Sequence, residues 1–182
     1  MDRVFSFLVR ISVFASLLMA DAVVSAKPND KEKLVMGWLE TVFLRPMNLH
    51  ATAKLDTGAK TSSVHAEKIE HFTRNGSPWV RFEFIASKEA APVKIERPLV
   101  RTAVIKERLS RSSERDVVLL TICKNGREYE TEFTLNDRSN FNYPMLLGRS
   151  FLASVALVDS SETFLFKADS DTCGSKAKNL NP

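Results

Sequence analysis

From Trp38 onward, short runs of β-forming residues alternate with turn signals, and that spacing points to an all-β domain. Residues 38–44 (WLETVFL) and 49–55 (LHATAKL) flank Arg45-Pro46-Met47-Asn48, a hairpin turn by composition. Further strands are predicted at Trp79 to Ile85, Val100 to Ile105, Val117 to Cys123, Glu128 to Leu135 and Thr163 to Phe166. Lys124-Asn125-Gly126-Arg127 holds the Asn-Gly pair that suits a tight hairpin turn, because both residues tolerate positive φ. One short helix is predicted, Arg149 to Val155, directly after Gly148.

With 44% hydrophobic and 26% charged residues in 182, the chain has material for one packed domain rather than a disordered or repeat architecture. Its net charge of +4 is scattered, which suits an anionic ligand and gives no reason to expect nucleic acid. Residues 1–26 read as a secretory signal peptide. Arg3 and Arg10 lead an apolar run from Ile11 to Ala20, and Val24-Ser25-Ala26 offers a small-residue cleavage site. An uncleaved anchor is the alternative. The remainder divides into a linker (27–35), a domain (36–167) and a polar tail (168–182). In an oxidising compartment Cys123 and Cys173 can pair; otherwise one is a core thiol and the other a tail thiol.

Two short segments concentrate the chemistry. In Leu55-Asp56-Thr57-Gly58-Ala59 an acid follows a strand and precedes a small hydroxyl residue and a glycine. Alone, this triplet also reads as an Asx turn closing a hairpin. In Met145-Leu146-Leu147-Gly148-Arg149 an apolar strand end runs through a glycine into the helix.

The stretches AKLDTGAKTSSVHA (53–66) and YPMLLGRSFL (143–152) resemble the retropepsin-like aspartic proteases, and within them a bacterial branch labelled ATP-dependent zinc proteases. Gly37-Trp38-Leu39-Glu40 and Asp137-Arg138 resemble that branch too, so the likeness runs from Met36 to Phe166. It implies a closed acid-protease β-barrel, one lobe per chain, and a homodimer in which two Asp56 carboxylates share a proton and activate water. By the same resemblance Thr57 bonds across the dimer axis and Gly58 lets backbone approach the carboxylates. Leu146, Leu147, Gly148 and Arg149 pack against the active-site loop. Ala59 lacks the hydroxyl that two-lobed relatives often carry there, so the pair is expected to titrate nearer neutrality. Retroviral relatives carry acids after D-T-G-A, whereas Lys60-Thr61-Ser62 follow here, leaving Arg149 to find another partner.

The zinc label has weak support in the sequence. There is no His-Glu-x-x-His helix, and only His65-x-Glu67 and Glu70-His71 can be drawn as ligands. No phosphate-binding Gly-Lys-Ser/Thr loop exists for ATP, and no cofactor is expected. The resemblance implies a secreted, periplasmic aspartic endopeptidase acting on peptide or protein. The branch's association with glutamate ligases and the position of Lys60 suggest acidic or glutamate-rich substrates. Lys88, Lys94, Arg97, Arg101, Lys106, Arg108, Arg111 and Arg115 form a basic stretch, either a solvated face or a substrate rim, within the 87–115 segment expected to supply the flap. The competing reading is a non-catalytic β-domain that binds peptides or a membrane-protein partner.

Overall fold

Alternation in the sequence becomes alternation in burial. In the second strand Ala51, Ala53 and Leu55 point into the core, while Thr52 and Lys54 face outward. The computed structural model describes residues 33–106 and 112–166. Residues 1–26, expected to be a signal peptide, the expected tail at 168–182 and Cys173 lie outside them.

Among the described residues eleven strands and one helix follow in chain order: β1 (Leu34–Arg45), β2 (Leu49–Leu55), β3 (Ser62–His65), β4 (Glu67–Arg74), β5 (Ser77–Phe84), β6 (Val93–Pro98), β7 (Arg101–Lys106), β8 (Ser112–Lys124), β9 (Arg127–Asn136), β10 (Met145–Leu147), α1 (Arg149–Val155) and β11 (Ala156–Thr163). The main sheet runs β11-β1-β2-β10-β3-β9-β8-β7, and an added β1–β8 pairing at Phe43↔Cys123 and Leu44↔Ile122 closes β1, β2, β10, β3, β9 and β8 into a six-stranded barrel. Closure leaves these six strands without a free edge. β4, β5 and β6 form a separate antiparallel sheet. Its inward Val80, Phe82, Phe84 and Ile95 join the barrel core, alongside Phe133, Leu120, Ile122 and Met145. Fully burying side chains of this size contributes about 1.5–3 kcal/mol each.

Consecutive strands β2 and β3 are not neighbours. β10 lies between them, parallel to β2 and antiparallel to β3, so residues 56–61 must arch over the end of β10. That crossing builds the site described below.

The Asn125-Gly126 turn lies where the sequence placed it, and Asn75-Gly76 forms a second of the same kind that the reading of the sequence did not name. Asn75-Gly76 and Asn125-Gly126 both hold positive φ, as a two-residue hairpin requires. The helix lies at the predicted bounds, but the last strand does not. Residues 163–166 were expected to be a strand on their apolar content; the strand is Ala156–Thr163, which pairs in parallel with β1. Phe164 turns the chain out at φ 52°. The predicted strands also omitted β3, β4 and β6, while β10 is the apolar strand end read at Met145–Leu147. Cys123 is buried on β8. Among the described residues no helix is long and apolar enough to cross a membrane.

Candidate active site

Asp56 follows β2 directly, and its N–H donates to the Leu147 carbonyl at 2.9 Å, fixing the loop to the end of β10. Its Oδ1 accepts the N–H of Gly58 at 2.9 Å and, more loosely, that of Ala59 at 3.3 Å. Oδ2 lies 3.2 Å from the ammonium of Lys54. Burial works to raise the carboxyl's pKa. The Lys54 hydrogen bond, the Gly58 N–H, the Lys54 charge and the Ala59 N–H outweigh it, so the carboxyl sits below its ordinary value. The expectation from Ala59 concerned the pair of carboxyls and left out Lys54, whose ammonium favours the charged form of each.

The second motif clasps the first. Arg149 donates its backbone N–H to Ala59 O and, from Nη1, reaches the carbonyls of Thr57 and Gly58 at 2.9 Å each; Ser150 N donates to Lys60 O. Arg149 thus replaces the carboxylate partner of retroviral relatives with two loop carbonyls. Gly148 lies under the arch, where its N–H meets Ser62 Oγ at 3.1 Å. Leu146 faces the cavities beside the loop, Leu147 is buried, and Thr57 and Lys60 are exposed.

Two openings flank this loop. The smaller, about 340 Å³, is lined by Asp56, Lys54, Arg138 and the aromatic walls Trp38, Phe141 and Tyr143. The larger, about 600 Å³, is lined by Lys60, Arg101, Arg115 and Arg138 and by no carboxylate. Arg138 belongs to both. Only 6% of it is exposed; its Nη1 donates to Ser63 Oγ at 2.8 Å, its Nε to Tyr143 O at 3.1 Å, and its guanidinium lies 4.5 Å from the Phe141 ring centre. Burial and Arg115 lower its pKa, and Asp56 opposes them.

The 87–115 segment is therefore two things. Its second half begins β7, whose residues 101–105 wall the larger cavity, whereas Lys88, Lys94 and Arg97 do not line it. The side chains of Lys106, Arg108 and Arg111 lie outside the described set.

His65, Glu67 and Asp137 bring three ligand-type atoms within 4.8 Å of one another. They do not fit zinc. His65 Nδ1 accepts the Arg138 N–H at 2.9 Å, which leaves the ring proton on Nε2 facing Glu67 at 3.2 Å, so neither nitrogen offers a lone pair. Glu70 and His71 point to separate partners, Arg81 and Asp116.

Sequence reasoning passed over Lys54 and gave Arg138 no role. Period-two alternation places residues 54 and 56 on one face, a signal that could have found the first pair. Nothing local announces Arg138, whose partners come from β3 and the loop before β10.

A closed barrel with one Asp-Thr-Gly loop clasped by a strand-glycine-helix segment defines a one-lobed retropepsin-like fold. Residues 35–169 match the family described as RimB-like, retropepsin-like aspartic endopeptidase RimB, and the chain belongs to that family. Relatives include proteins named probable alpha-L-glutamate ligase. The one from Shewanella pealeana is 40% identical over 114 residues, 62% of this chain and 25% of that protein. The one from Desulfotalea psychrophila is 34% identical over 133 residues, 71% and 29% of the two chains. The chain thus spans about a quarter of the length of these curated relatives. A crystal structure of Lpg0085 from Legionella pneumophila, titled as of unknown function (DUF785), is similar with a TM-score of 0.65 and 32% identity, over 75% of this chain and all of that one.

Proposed function

We propose that the chain is an aspartic endopeptidase that works as a homodimer, with one Asp56 from each protomer. The observation that carries this reading is the held state of Asp56: two loop N–H groups fix Oδ1 while the carboxyl borders an open cavity. In the dimer the two carboxyls hold one proton between them. The ionised one takes a proton from water as its oxygen attacks the scissile carbonyl carbon, and the protonated one gives its proton to the carbonyl oxygen. Collapse of the tetrahedral intermediate passes a proton to the leaving nitrogen and restores the pair. Thr57, exposed on the loop, bonds to its counterpart across the axis.

The substrate in this reading is acidic peptide. Support comes from Lys60, Arg101, Arg115 and Arg138 around the larger cavity, of which Arg101 also pairs with Glu132, and from relatives named probable alpha-L-glutamate ligase. Export to the periplasm through residues 1–26 belongs to the same reading, with a bridge between Cys123 and Cys173. Thiol counting on unreduced, denatured protein checks the bridge: no free thiol is expected.

Mixing protomers tests the dimer. Adding excess Asp56→Asn chain to a fixed amount of wild type should pull active protomers into impaired mixed dimers, so activity per wild-type chain falls. Unchanged activity per wild-type chain would refute a shared centre.

A further inference from the structure

Asp56 presents its two carboxyl oxygens to different neighbours. Oδ1 turns into its own loop, where Gly58 and Ala59 hold it. Oδ2 is the oxygen those N–H groups leave, and Lys54 Nζ stands 3.2 Å from it. The lysine is well placed to keep that position, because its backbone is paired on both sides, to Leu39 of β1 and Leu146 of β10. We infer that Lys54 is a positioning residue, an ammonium clamp that fixes the orientation of the Asp56 carboxyl and favours its charged form, leaving the two carboxyls of a dimer to share their one proton. The inference rests on the reading of Asp56 as the reacting acid.

Other charged groups near the centre do not duplicate this contact. Arg138, from the loop before β10, spends Nη1 on Ser63 Oγ and Nε on the Tyr143 carbonyl. Arg149, from α1, spends Nη1 on the Thr57 and Gly58 carbonyls. Lys60 borders the larger cavity and not the smaller one. No carboxylate other than Asp56 lines the smaller cavity. The Lys54 side chain is 42% exposed, and an ion pair so exposed adds little to folding stability. Its consequence is a displaced titration: a cation beside a carboxylate favours the charged form, and removing it moves protonation to higher pH.

The test follows the Asp56 carboxyl by carbon NMR through a pH titration in wild type, Lys54→Met and Lys54→Arg, with Asp56→Asn identifying the signal. The same proteins are assayed for kcat/KM against pH. Lys54→Met should move the carboxyl's midpoint to higher pH, and Lys54→Arg should return it toward wild type. The bell-shaped rate profile should move with it, losing rate on the acid side and gaining on the alkaline side, since both limbs belong to the coupled pair. Coincident carboxyl titrations in wild type and Lys54→Met would overturn the inference. Failure to find any Asp56-dependent cleavage would instead overturn the protease reading, while the NMR titration still decides the role of Lys54.

Discussion

Gly148 and Thr61 meet backbone to backbone: a Cβ at position 148 would lie 2.6 Å from both the carbonyl carbon and the oxygen of Thr61. The contact exists because the loop from β2 to β3 has to cross the end of β10. Backbone cannot move aside as the end of a flexible side chain can, so Gly148→Ala should cost about 1–3 kcal/mol, the range for overpacking. Urea unfolding measures it. An unchanged midpoint would mean that the arch yields freely.

A second prediction concerns the buried pair of Glu40 and Lys124, 2.6 Å apart, with 0% and 4% of their side chains exposed. Glu40 Oε1 also accepts the N–H groups of Gly37 and Leu165, tying the start of β1 to the segment after β11. Lys124→Met leaves the carboxylate buried without its cation and should cost about 3–5 kcal/mol. Adding Glu40→Gln removes the charge yet keeps an acceptor oxygen, so the double variant should regain part of the loss by the same assay.

The legibility of this chain follows from how local each signal is. The helix after Gly148, the turn at Arg45–Asn48 and the Asn125-Gly126 turn depend on residues adjacent in sequence, and each was readable. β3 has four residues, too few to show a period, and β10, with three, was legible only through the glycine and helix that follow it. β4 (EKIEHFTR) is largely exposed, so it carries no apolar stripe. β11 (ALVDSSET) is polar because most of it faces solvent, while the apolar residues after it drew the prediction three places too far. In the site, the Asp56 loop and its Gly148 clasp were legible from two motifs. Arg138 and the Glu40–Lys124 pair depend on contacts between distant segments, which no window of sequence contains.

Substrate charge is the third prediction. Lys60, Arg101, Arg115 and Arg138 line one cavity, so glutamate-rich peptides should be cleaved faster than matched neutral ones. Partly exposed cations are screened by salt, with a Debye length of about 8 Å at physiological ionic strength. The preference should therefore shrink as salt rises, and also in Lys60→Glu. Initial rates on paired peptides check this, and equal rates at low salt would contradict it.

The fourth prediction bears on the whole account, which stands on Asp56 as the acid that activates water without a metal. The direct measurement is peptide cleavage by purified wild type and Asp56→Asn, each with and without a strong chelator, with circular dichroism confirming the fold. Asparagine cannot take the proton from water, so the account predicts cleavage by wild type in both buffers and none by a folded Asp56→Asn. Full activity in Asp56→Asn, or loss of wild-type activity to the chelator alone, would contradict it.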